Sequence, residues 1–214
     1  HPDDLILLSE PDTAARLTGL AQLNDPQHVL SYVQYILKGI HAGGTKIGAG
    51  TGTWSPITFT KLLAEQTHLD FISLHVYPVG KTFIQNALDM ADLAHANGKA
   101  VVISEAWLYK TDSAGGGDVA ANADVFKRDA FSFWTPLDEQ FISLMARLAG
   151  RTQADMLDFF WSSYFFGSVD YTPQLGGATY QQVAKAVNQV ASPNLLNDRF
   201  TPLGEYTKNL MHTW

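Results

Sequence analysis

Short runs of consecutive apolar residues alternate along this chain with longer stretches of helical period. Residues 5–8, 69–76, 101–103 and 156–161 are runs without regular polar alternation, the pattern of strands covered on both faces in a parallel α/β sheet. A further short strand is predicted over 46–49. Between these runs the punctuation is helical. Asn24 or Asp25 can cap a helix whose first turn holds Pro26. Its face carries Val29, Val33, Ile36, Leu37 and Ile40, and Gly43-Gly44 closes it. Ser55-Pro56 starts a second helix. Residues 83–96 carry Ile84, Leu88 and Ala91 along one side and end at Asn97-Gly98, and Thr135-Pro136 opens a stripe of Leu137, Phe141, Leu144, Met145 and Leu148. Helices near 180–190 and 203–212 complete the chain. Strands separated by helices describe successive β/α units.

The ends of these strands hold the chemistry. Glu105 stands where the run 101–103 gives out, and in α/β barrels the C-terminal strand ends carry catalytic groups. Glu10 ends the first run, before Pro11, which lacks an N–H and keeps its predecessor extended. Taken singly, Glu105 could cap a loop or pair with a lysine, and Glu10 could face solvent in a Pro-Asp-Thr turn. His75 and Tyr77 are two positions apart, so in an extended chain they point to one side; a satisfied core histidine is the competing reading. Trp54 follows Gly50-Thr51-Gly52-Thr53, which lacks the lysine of a phosphate loop and does not match Gly-x-Gly-x-x-Gly. Its ring fits an exposed strand end or the core. Trp107 leads into an insertion over about 108–135, with a glycine-rich stretch at 113–118, a helical patch at 125–130 and the group Phe131-Ser132-Phe133-Trp134, which could wall a cleft. Trp161 ends the fifth strand.

Composition narrows the picture. A length of 214 residues with 46% hydrophobic content and no low-complexity tract predicts a single globular domain over 1–214. The net charge is −7 and the 14 basic residues form no stripe, which argues against nucleic acid or an anionic membrane as partner. The absence of cysteine removes disulfides, thiolate metal sites and a cysteine nucleophile. The seven histidines are dispersed without His-Glu-x-x-His spacing, so no metal is predicted. No run approaches the roughly 20 apolar residues of a membrane helix.

Four motifs then carry a resemblance. Leu-Leu-Ser-Glu-Pro at 7–11, Ser-Leu-His-Val-Tyr at 73–77, Val-Ile-Ser-Glu-Ala at 102–106 and Phe-Phe-Trp-Ser at 159–162 resemble, in order and spacing, strands four, six, seven and eight of the clan A glycoside hydrolases, the (β/α)8 family of cellulases and mannanases. The resemblance implies a TIM-type barrel of which this chain holds the equivalents of strands four to eight; either an upstream N-terminal half-barrel segment supplies strands one to three, or two chains complete one another, or the five strands form an open sheet. It implies Glu10 as acid/base, Glu105 as nucleophile, His75 and Tyr77 around the nucleophile and Trp161 as the platform beneath the reacting sugar. Ser9 stands where the clan places an asparagine on the sugar 2-hydroxyl, and a shorter hydroxyl reaches less far. Trp54, Trp107 and Trp134 are further candidates for stacking on sugar rings. The implied substrate is an oligo- or polysaccharide, cleaved without a cofactor by two carboxylates about 5 Å apart. A sugar-binding barrel without turnover, and a barrel enzyme using the acids as metal ligands, are the competing classes.

Overall fold

A computed structural model describes residues 2–41, 43–111 and 123–212; the glycine-rich stretch at 113–118 lies outside them. The chain groups into two compact units. One comprises His1–Ala106 with Arg147–Asp158, the other Trp107–Ala146 with Phe159–Trp214.

The first unit is built on a curled half-barrel sheet of five parallel strands alternating with helices. The strands are β1 (Asp4–Ile6), β2 (Lys46–Gly52), β3 (Phe71–Val76), β4 (Ala100–Ala106) and β5 (Met156–Phe159), in sheet order β1-β2-β3-β4-β5. The final residue of β5 is counted with the second unit. Leu74, Val76, Val101 and Ile103 are fully buried, as expected where helices cover a parallel sheet. The helices are α1 (Pro11–Thr18), α2 (Pro26–Gly39), α3 (Thr58–Gln66) and α4 (Lys81–Ala96). Val29 and Val33 of α2, Leu63 of α3, and Ala87, Met90 and Ala91 of α4 form the buried stripes.

Local chemistry explains the boundaries. The Asp25 carboxylate accepts from the backbone N–H groups of Gln27 and His28 at 2.7 and 3.3 Å, which caps α2 as the sequence predicts. That helix stops at Gly39 rather than running to the Gly43-Gly44 pair. Both glycines have positive φ, 56° and 103°, and form the turn into β2. Helix α1 is the element that strand-and-turn reasoning passes over. Pro11, read as a breaker, stands at its first position, where the missing N–H costs nothing and the ring sets φ for a helix.

Strand β2 alternates glycine at 48, 50 and 52, and the space a side chain would take is filled by the Phe71 ring at 48 and the Trp54 ring at 52. A Cβ on Gly50 would fall on the carbonyl oxygen of Ser73. Gly50→Ala is therefore expected to lower the unfolding free energy by about 2–3 kcal/mol. Urea denaturation checks this, and a wild-type midpoint would show that the two strands part freely.

The second unit is helical: α5 (Ala123–Arg128), α6 (Thr135–Arg151, whose last turn belongs to the first unit), the short α7 (Pro173–Gly176), α8 (Tyr180–Leu196) and α9 (Pro202–Met211). One buried cluster joins Ala130 and Phe131 to Val183, Val187 and Ala191 of α8, with Trp134 and Tyr164 packed against it. A reciprocal capping box between Thr179 and Gln182 starts α8. Among the described residues no helix is long and apolar enough to cross a membrane.

Candidate active site

Two acids reach one place in the first unit by different routes. Glu10 follows β1 and is the N-cap residue of α1. Its carbonyl oxygen accepts from the Ala14 N–H at 2.9 Å, while its side chain takes no part in capping and is left for the site. Glu105 belongs to β4, and its direction depends on an irregularity in the sheet. Leu74 pairs with Ile103, yet the next residue, His75, pairs with Glu105, so Ser104 is an extra residue on β4. In a regular ladder Ser104 would stand beside His75. Glu105 would stand beside Val76, on the opposite face, because a one-residue shift reverses every side chain. The bulge re-aims Glu105 to the side that carries His75 and Tyr77. The hydroxyls of Ser73 and Ser104 hydrogen bond to one another across it.

The resulting cluster is compact. Nδ1 of His75 lies 2.7 Å from Oε1 of Glu10 and 3.9 Å from Oε2 of Glu105. The Tyr77 hydroxyl contacts Oε1 of Glu10 at 3.2 Å and also hydrogen bonds Oε1 of Glu105. One ligand atom each from Glu10, His75 and Glu105 lies within 4.8 Å of the others. His75 and Tyr77 are buried and the two acids half-buried.

This geometry constrains the protons. A phenol has one hydrogen and cannot donate to two carboxylates at once. Both contacts are satisfied when one acid is protonated and donates to the phenol oxygen while the phenol donates to the other. Two close carboxylates sharing one proton is also what their mutual repulsion favours. The environments differ in sign. Burial raises Glu105 and is the largest influence on it; the charges of Glu10 and Asp158 add to the rise, and the Tyr77 bond and His75 oppose it, leaving the carboxyl above its ordinary range. Burial is also the largest single influence on Glu10. There the bonds from His75, Thr13 and Tyr77 together outweigh it and hold the carboxyl below its ordinary range. The two carboxyls are thus pushed apart, Glu105 upward and Glu10 downward.

Of the remaining candidates, Ser9 is half-buried in the loop between β1 and α1. Trp54, just past β2, stacks on Tyr77 with ring centroids 4.7 Å apart and planes at 20°, and its indole N–H donates to Oδ2 of Asp12 at 2.8 Å. Ser9, Glu10, Trp54, His75, Tyr77 and Glu105 thus all occupy the C-terminal ends of strands in the first unit. Trp107, Trp134 and Trp161 belong to the second unit. Trp107 is buried there between Phe126 and Phe160, each 4.8 Å away. Trp134 packs on the α8 cluster. Trp161 is buried beside Phe141 and Phe159 with the Lys110 ammonium 5.3 Å from its ring centre.

Four acids outside the predicted set prove to matter. Asp12 holds Trp54. Asp158, a charge inside the otherwise apolar run 156–161 and so visible in the pattern, bears electrostatically on Glu105. In the second unit Asp129 and Asp138 flank the fully buried Lys110 ammonium. Asp138 lies 2.6 Å from it, Asp129 is in direct contact, and Asp129 also accepts from the Trp107 indole at 2.7 Å. Burial pushes Asp129 up to about 6 despite these donors. Neither spacing nor composition marks this triad.

Comparison with protein-family models, with curated proteins and with solved structures finds no match to this chain.

Proposed function

We propose that this chain is a retaining β-glycoside hydrolase whose five parallel strands are β/α units of the TIM-barrel type, acting on an oligo- or polysaccharide. The observation that carries the reading is the meeting of two strand-end carboxylates on one phenol, their oxygens within 4.8 Å. Two carboxyl groups bridged by a single hydroxyl lie close together, as in retaining enzymes, which hold the pair about 5–5.5 Å apart. Inverting enzymes hold the pair about 6.5–9.5 Å apart to admit a water between acid and base. Glu105 attacks the anomeric carbon from the face opposite the leaving oxygen, and Glu10 protonates that oxygen as the bond breaks. Glu10 then takes a proton from the water that releases the sugar from Glu105. His75, bonded to Glu10, orients the acid, and Tyr77 steadies the charge on Glu105. The chain's own side chains supply every group in this sequence.

Double displacement leaves the anomeric configuration unchanged. Proton NMR of a fresh digest of a β-linked glucan or mannan is expected to show the β-anomer first, with the α-anomer growing in by mutarotation. An initial α-anomer would overturn the retaining assignment. A second reading rests on the convergence of Glu10, His75 and Glu105, which offer a nitrogen and two carboxylate oxygens to a divalent cation. Activity abolished by a chelator and restored by one divalent ion marks that reading.

A further inference from the structure

The rings of Phe133 and Tyr171, both in the second unit, are 53% and 56% exposed, with centroids 6.0 Å apart and planes at 81°. Single apolar side chains on a surface are ordinary, whereas clustered ones mark interaction sites. Both rings rest on the buried Phe131: Phe133 runs parallel to it at 13° and Tyr171 meets it at 67°. The support is stitched together. The N–H of Ser132 donates to the carbonyl of Val169, and the N–H of Val169 to that of Ala130, each at 2.9 Å, so that Phe131 and Val169 form a parallel bridge. Tyr171 also has a prepared seat. Its ring lies against Gly176, where a Cβ would come within 2.5 Å of the phenol oxygen, and the Lys127 ammonium donates to the carbonyls of Gly176 and Ala178 at 3.0 and 3.1 Å. Rings held open to solvent in a fixed geometry lose little entropy when a ligand stacks on them.

The rim supplies the polar half of a site. The Ser132 hydroxyl, next to Phe133 in the chain, donates to Oδ1 of Asp170, next to Tyr171, at 2.6 Å, and that bond fixes an exposed carboxylate between the two aromatic segments. Aromatic faces beside a strong acceptor suit a pyranose, whose C–H groups form apolar patches on the faces of the ring and whose hydroxyls surround its edge. Charge narrows the choice. Lys127 is answered by Asp124 at 2.9 Å as well as by the two carbonyls, so the charge at the rim is the Asp170 carboxylate, which repels an acidic polymer and the phosphates of a nucleic acid. Two half-exposed rings offer far less than the roughly 800 Å² that a stable protein interface buries on each partner, and enough for one or two sugar residues.

We propose that Phe133, Tyr171 and Asp170 form a non-catalytic binding site for a neutral β-linked glycan. The glycan as ligand rests on the hydrolase reading of the acid pair, whereas the rigid aromatic corner stands on its own geometry.

Fluorine NMR of the full chain labelled with 3-fluorotyrosine, carrying Glu105→Ala so that no bond is cut, reads this site and the acid pair separately. Tyr171→Phe and Tyr77→Phe assign the two resonances. Cellohexaose or mannohexaose is expected to move the Tyr171 resonance saturably, and hexagalacturonate to leave it in place. Phe133→Ala weakens the affinity read at Tyr171 about 10-fold by removing one stacked ring, and Asp170→Ala does so by a similar factor through its lost hydrogen bonds. Phe133→Trp, which keeps a ring, retains binding. Gly176→Ala keeps every ring but unseats Tyr171, and lowers the affinity without removing a contact group. A Tyr171 resonance that neither hexaose moves, or an affinity unchanged in both Phe133→Ala and Asp170→Ala, overturns the site. A resonance that moves with protein concentration instead of with sugar makes the corner a contact between copies and overturns it too, and binding of hexagalacturonate overturns the selection for a neutral chain. Failure of the hydrolase reading looks different: the wild type cleaves no glycoside and the Tyr77 resonance ignores both hexaoses, while the Tyr171 resonance still responds to them.

Discussion

Glu105→Ala lowers turnover of phenyl β-glycosides by at least about 10⁴-fold, the scale on which loss of a nucleophile is felt, and azide restores part of it as the α-glycosyl azide. The product follows from which face is vacated. Without the Glu105 carboxylate a small anion occupies its place and attacks once, inverting the centre. Glu10→Ala has a smaller effect, about 10²- to 10⁴-fold for a phenyl leaving group, because binding and the nucleophile persist. Azide there intercepts the sugar bound to Glu105 from the opposite face and yields the β-glycosyl azide. The two variants together assign the roles. Exchanged azide products would assign Glu10 as nucleophile, as its lower position at rest would suggest; retained turnover in either variant would remove the pair from the reaction altogether.

Lys110→Met destabilises the chain by about 3–5 kcal/mol, although Lys110 lies outside the acid pair. Its ammonium is fully enclosed and is the cation between Asp129 and Asp138; removing it leaves two buried carboxylates facing one another, which costs far more than the ion pair itself contributes. The loss depends on pH with a definite sign. Asp129 already stands near 6, above its ordinary value of 3.8, and without Lys110 both aspartates move higher. A carboxyl raised in the folded state supports folding below its unfolded value, and that support is lost as pH rises through the folded one. The deficit of Lys110→Met is therefore larger at pH 8 than at pH 5. Urea unfolding at the two pH values measures it. Adding Asp129→Asn and Asp138→Asn to Lys110→Met should recover most of the loss, since neutral amides need no cation. A deficit below about 1 kcal/mol at both pH values would show that water reaches the cluster.

Much of the first unit was legible because its signals are local. A continuous β-branched run locates β4, an apolar-rich run locates β3, and Asp25-Pro26 locates the start of α2. The strand-end positions of Glu10, His75, Tyr77 and Glu105 follow from where those runs stop. Helix α1 was not legible, because proline before Asp-Thr suits a turn and a helical first turn equally. The role of Trp54 was not legible either, since the ring's partners, Tyr77 and Asp12, are set by contacts 23 and 42 positions away. The Lys110 triad joins residues 19 and 28 positions apart in the chain, and only packing brings them together.

By itself the sequence determined the α/β alternation, the parallel sheet and the placement of two acids at strand ends, since hydrophobic period and backbone stereochemistry act over a few neighbouring residues. Whether the acids face each other was decided elsewhere. The extra residue at Ser104 turns Glu105 to the face of His75, and a bulge is a property of two paired strands, which neither strand's residues specify alone.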